Sequence, residues 1–190
     1  MKKLRISYNS PVVLNFVFVC LVVLLLGILT GSESTRALFM TYRSSLKNPL
    51  TYVRFFTHVL GHADWAHFIG NASYLLLLGP MLEEKYGSET LLEIIGITAF
   101  VTGVANFILF PGTALCGASG VVFAFIILAS FTGFGEGEIP LTFLLIAVIY
   151  IGQQVYEGLA FSDNISNTTH IVGGFVGSLV GYILNKRASY

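Results

Sequence analysis

Charge is what this sequence has least of. Only 11% of its 190 residues are Asp, Glu, Lys or Arg, against about 25% in a soluble globular domain. With so few charges no wetted surface can be built, and the mean hydropathy of +0.80 names lipid as the expected solvent. The formal net charge is zero, so there is no basic face and nucleic acid is excluded as a partner. Cysteine is nearly absent as well. Cys20 and Cys116 lie in or beside apolar sequence, which is no basis for a disulfide framework; they read as small apolar fillers.

What is abundant is apolar sequence, 55% of the chain, and it falls into six stretches. They run approximately over Pro11–Thr30, Ala66–Leu82, Thr90–Phe110, Ala118–Phe134, Ile139–Leu159 and His170–Leu184. A bilayer core of about 30 Å needs roughly 17–25 helical residues, so these predict an all-α, polytopic membrane protein with six spans in a single domain, 1–190. The first stretch follows Lys2, Lys3 and Arg5 like a leader peptide, but it is too long for one and lacks a clean small-residue cleavage site. It is therefore read as a retained helix.

Basic residues at both ends (Lys2, Lys3 and Arg5; Lys186 and Arg187) predict that both termini are cytoplasmic, which an even number of spans allows. The large segment 31–65 then lies outside, as do 111–117 and 157–169. Segment 31–65 is far longer than a usual connection, and such loops tend to carry function. Its Tyr52-Val53-Arg54-Phe55-Phe56 suits a piece lying in the membrane interface.

In this topology the second, fourth and sixth spans all run from outside to inside. Their first turns share one depth near the outer face, where water arrives without crossing the membrane. Those first turns hold the polar residues that an apolar span has least reason to carry: His67 and Asn71 on the second, Gly117-Ala118-Ser119-Gly120 at the fourth, and His170 at the sixth. A serine hydroxyl becomes a nucleophile when a neighbouring base takes its proton, and histidine titrates in the useful range. Ser119 opens a helix, where first-turn N–H groups point outward and the dipole is positive, suited to an oxyanion. His67 and Asn71, four residues apart, face one side of their helix and add side-chain donors. Gly117 and Gly120 leave room for a substrate backbone. Gly173, Gly177 and Gly181 make a small-residue stripe that lets a neighbour approach and brings His170 toward Ser119. Singly, each feature is explained by packing or by an interfacial histidine; their common depth favours catalysis.

A second constellation competes. His58, His62, Asp64 and His67 lie within ten residues, a spacing compatible with zinc. There is no His-Glu-x-x-His pattern and no second cluster with a glutamate base, so no metal and no cofactor is expected, and His58 and His62 are read as shaping the first loop through hydrogen bonds.

Taken together, these residues resemble the rhomboid intramembrane serine proteases. The resemblance rests on Gly117-Ala118-Ser119-Gly120, on His170 followed by glycines, on His67-x-x-x-Asn71, on Arg54-Phe55-Phe56-Thr57-His58 and on Gly79 through Gly87. It is closest to compact bacterial members with six spans. The resemblance implies a Ser119–His170 dyad and an oxyanion hole of His67, Asn71 and the Ser119 N–H. It also implies that Glu83 ties the cytoplasmic end of the second span to its neighbours, and that the fifth span with the 157–169 loop forms gate and cap. Substrates would be membrane proteins with a transmembrane helix, cut near its outer end, and the location the bacterial plasma membrane. Val53 stands where many bacterial members have tryptophan, Lys85 where arginine is common, and Phe123 where a tyrosine stacks on the histidine; a phenyl ring packs on imidazole but cannot hydrogen-bond. Two other readings compete: a client-binding pseudoprotease, against which Ser119 and His170 speak, and a small transporter or channel, which needs a broken helix or midplane charges.

Overall fold

The computed structural model describes residues 7–130 and eleven positions beyond them: 141, 144, 145, 148, 149, 172, 173, 175, 176, 179 and 183. Most of the fifth predicted span, His170, the 157–169 loop and both charged termini lie outside the described residues.

Six α-helices form among the described residues, and no strand. α1 (Pro11–Leu29) opens with proline in its first turn, where a missing N–H costs nothing. α2 (Glu33–Leu38) and α3 (Pro49–Thr57) follow. α3 is capped by the Asn48 side chain, which accepts from the Leu50 N–H, and again has proline in its first turn. A 3-10 turn, His58–Leu60, leads into α4 (Trp65–Tyr86), where Asp64 is the cap. α5 (Ser88–Leu109) comes next, then α6, Ser119–Ser130. Gly87, at φ +84°, is the whole joint between α4 and α5, a backbone setting that a side chain would strain.

α1 and α5 are each long and apolar enough to cross a bilayer. α4, with 22 residues, has the length at about 1.5 Å per residue but carries His67 and Asn71 in its N-terminal half. α1, α4, α5 and α6 thus occupy the first four predicted spans. α4 runs four residues past its predicted end, to Tyr86, because Glu83 is buried and holds that end down. Segment 31–65, expected as a loop, contains α2, α3 and the 3-10 turn.

The packing is that of a protein dissolved in lipid. α4 lies against α1, α5 and α6, while α3 lies against α5. The core gathers Val13, Leu75, Leu82, Leu91, Ile94, Val121, Phe125 and Leu128, all buried. Facing out are Phe18, Leu29, Leu77, Leu92 and Ile108, with Leu29 82% exposed. A continuous outward apolar surface of this kind needs a hydrocarbon partner.

At the C-terminal end of α4 the Glu83 carboxylate accepts the Val12 and Val13 N–H groups (3.0 and 3.1 Å) and the Ser88 hydroxyl (2.7 Å). One side chain therefore caps the first turn of α1 and the start of α5. Elsewhere Thr41 pairs with Leu115 as an isolated antiparallel bridge with bonds of 2.9 and 2.8 Å, and this ties the first loop to the segment entering α6. Arg54 is buried and donates Nε–H to the Ala37 carbonyl at 2.9 Å, with its guanidinium 4.6 Å from the Tyr42 ring centroid.

Candidate active site

Ser119 is the first residue of α6. The Val122 N–H bonds the Ala118 carbonyl at 2.9 Å, so the helix winds from Ala118 onward and holds Ser119 in its first turn. Ser119 is half-buried, between the fully buried Ala118 and the buried Gly120. Just upstream, Gly117 has φ +120°, and its N–H donates to the His58 carbonyl at 2.9 Å. The turn that carries Ser119 is thereby pinned to the first loop.

α4 supplies the neighbouring wall. The Asp64 carboxylate accepts the His67 N–H at 2.8 Å, an N-cap that fixes the first turn. From that turn the imidazole reaches Gly117: a Cβ placed on Gly117 would lie 2.5 Å from His67 Nε2 and 3.6 Å from Asn71 Nδ2. The two side chains expected to face one side do so, and both meet the turn that carries Ser119. Glycine is obligatory at 117 on two counts, the positive φ and the imidazole occupying the space. Asn71 is 8% exposed, and its Nδ2 has no hydrogen-bond partner among the described residues. A buried amide donor left open costs roughly 1–3 kcal/mol, a cost a fold keeps where a ligand satisfies the group.

The floor is set by α5 and the last helical stretch. A Cβ on Gly120 would meet Thr102 Cγ2 at 3.2 Å and Thr98 Cγ2 at 3.8 Å, and one on Gly173 would meet the Gly120 carbonyl oxygen at 2.6 Å. Two glycine backbones therefore touch, as the glycine stripe predicted for its first member. His170 itself lies outside the described residues. Phe123 is half-buried one turn after Ser119.

The other histidines are structural in geometry. His58 Nε2 donates to the Ala99 carbonyl at 3.0 Å, reaching α5 and not only its own loop. Burial, partly offset by that bond, lowers its pKa to about 4. His62 Nδ1 donates to the Leu60 carbonyl at 3.2 Å. Its ring stands edge-on to His67 with centroids 5.0 Å apart, and burial, then the neighbouring His67, lowers its pKa to about 4. Among the described residues, no three His, Cys, Asp or Glu side chains gather as metal ligands would.

Sequence reasoning missed the roles of four contributors, one of which, Asp64, it weighed only as a metal ligand. Asp64 was legible as a cap, three residues before His67 at a helix start. The His58 carbonyl, which holds Gly117, has no sequence signal, because any residue supplies a carbonyl. Thr98 and Thr102, both buried on α5, are ordinary in an apolar helix until Gly120 is found against them.

A family model described as the Rhomboid domain matches residues 49–187, a range that contains every candidate residue. The chain is also similar to the rhomboid protease GlpG of Haemophilus influenzae, with 28% identity over 160 residues covering 82% of each protein. A second relative, the rhomboid protease GlpG of Yersinia pestis, is 26% identical over 181 residues, which are 93% of this chain and 63% of that protein. This chain thus spans less than two thirds of the length of the Yersinia relative.

Proposed function

The chain belongs to the rhomboid family of intramembrane serine proteases, and from that premise we propose that Ser119 and His170 carry out peptide-bond cleavage in transmembrane proteins, near the outer end of a membrane helix. The observation that carries this reading is the convergence of His67 and Asn71 on Gly117, two residues before Ser119. A pair of donors aimed beside a helix-opening serine is the arrangement an oxyanion requires.

In the proposed reaction His170 accepts the Ser119 hydroxyl proton as Oγ attacks the carbonyl carbon of the scissile bond. The carbonyl oxygen becomes an oxyanion, held by the Ser119 N–H, His67 and the open Nδ2 of Asn71. Collapse of the intermediate breaks the C–N bond, and the leaving amine takes the proton from His170. Water then attacks the acyl ester, His170 again accepting a proton and returning it to Ser119. No cofactor enters the scheme. Gly120 against Gly173 supports the approach of the sixth span to Ser119, and Phe123 packs beside the dyad.

The same reading takes the chain as one six-span domain in a bacterial plasma membrane, with both termini cytoplasmic. Membrane lipid is its solvent, and the site opens to the outer face. The decisive experiment incubates the purified protein in liposomes with a single-span reporter. Wild type should cleave it and react covalently with a fluorophosphonate, while folded Ser119→Ala should do neither. Cleavage by that variant at the wild-type rate would sink the proposal.

A further inference from the structure

We infer that Asp64 is a specificity-determining residue, whose carboxylate at the rim of the active site favours substrates carrying a lysine or arginine just outside the cut. The inference rests on the proteolytic reading above. Asp64 accepts the His67 N–H at 2.8 Å, and the His67 ring reaches the position of a Gly117 Cβ. The carboxylate is therefore one residue's reach from the oxyanion donors, and it is exposed, on the side where the substrate chain leaves the membrane. Its field extends to the other wall: burial, and after it the Asp64 charge, push the Cys116 thiol up to about 11.

Asp64 acts almost alone. Between Phe55 and Leu82 it is the sole Asp, Glu, Lys or Arg, and from Ile94 to Gly135 there is none. Of the four first-loop cations, Arg36, Arg43, Lys47 and Arg54, Arg43 is held on the Phe107 carbonyl and Arg54 on that of Ala37, while Arg36 and Lys47 are exposed. A cation at the first turn of α4 thus meets acid, and no Lys or Arg lies within nine positions of Asp64 on either side. The preference is discriminating, because membrane proteins carry few basic residues on the outer flank of a span. Its reach is short: screening acts over about 8 Å at physiological salt, which is two to three residues of extended chain at about 3.3 Å each.

The test uses the full chain in neutral-lipid liposomes and reporters with Lys, Gln or Glu at each of the first three positions outside the cut. For wild type, kcat/KM for the best Lys reporter should exceed that of its Gln counterpart about two- to fivefold, the size of an exposed ion pair. The ratio should shrink in roughly 0.5 M salt. It should fall to one in Asp64→Asn and in Asp64→Ser, both of which keep an acceptor for the α4 cap. Asp64→Lys should favour the Glu reporter. Ser119-dependent cleavage with no charge preference at any position, or a preference that survives Asp64→Asn and Asp64→Ser, would leave the protease reading standing and overturn this one: Asp64 would then be a cap alone. Absence of Ser119-dependent cleavage would take both down.

Discussion

The two ends of α4 handle buried polarity in opposite ways. At the C-terminal end Glu83 is buried with three donors on its carboxylate, Val12 N–H, Val13 N–H and the Ser88 hydroxyl. Toward the N-terminal end Asn71, equally buried, has an amide donor with no partner among the described residues, and His67 turns its ring onto a glycine. One helix thus carries a saturated clamp and an open donor twelve residues apart. Saturated groups hold a fold together. A buried donor left open weakens it and is available to a charge that forms only during reaction.

The comparison makes opposite demands on the two positions, and the largest effect belongs to the open end. Asn71→Ala should cut kcat about a hundred- to thousandfold, the roughly 2.7–4 kcal/mol measured for one oxyanion donor in another serine protease. KM should change little, because the lost contact exists only in the transition state. Removing a donor that has no partner among the described residues should leave thermal stability in detergent unchanged or raised. A variant that unfolds while its correctly folded fraction keeps wild-type kcat would break the contrast.

Next comes the closed end. Glu83→Gln keeps the shape but removes the charge that three donors share, and charge-assisted hydrogen bonds are worth about 1.5–3 kcal/mol each way. Stability should drop by about that amount, with kcat per folded molecule nearly intact. Gly79→Ala lies one turn from Glu83, where a Cβ would sit 2.6 Å from Val13 Cγ2. Both Val13 methyls lie within 2.8 Å of that Cβ and the Val13 Cβ within 3.3 Å, on a buried side chain with little rotamer freedom, so the cost belongs toward the upper end of overpacking, about 3 kcal/mol. A loss of activity larger than the loss of folded protein in either variant would show that the Glu83 clamp sets the site at the other end.

These residues also show what a sequence discloses. α1 and α5 were legible because unbroken apolar runs of that length have one use. His67, Asn71 and Ser119 were legible because polar residues in such runs are few, and orientation from the terminal charges put them at one depth. The end of α4 was placed too early, because Glu83-Glu84-Lys85 looks like water-exposed sequence until the backbone N–H groups of α1 are found on Glu83. α3 was readable from Asn48-Pro49, a cap followed by proline, but the aromatic run drew attention to the membrane interface instead. The Thr41–Leu115 bridge and the His58 carbonyl on Gly117 join residues 74 and 59 positions apart, and backbone groups common to all residues make both.

The smallest effect near neutral pH comes from the residues between the two ends. His58 and His62 are held neutral, each with one ring nitrogen donating to a carbonyl and the other buried without a partner among the described residues. Burial lowers both to about 4 in the folded chain, against about 6.5 when unfolded. Below the unfolded value the unfolded chain binds protons that the folded chain refuses, so acid favours unfolding. Stability in detergent should therefore be nearly flat from pH 8 to 7. It should fall as the pH drops from about 6.5 towards 4, and level off below, as far as these two groups decide it. His62→Gln replaces a titrating ring by an amide that keeps a donor for the Leu60 carbonyl, so its unfolding free energy should decline less steeply across that window. Equal slopes for the variant and wild type would mean that His62 takes up its proton in the folded protein as readily as in the unfolded chain. Its edge-on contact with His67 would then bring a cation beside the proposed oxyanion donors below about pH 6.5, and the division between His62 as structural and His67 as donor would fail.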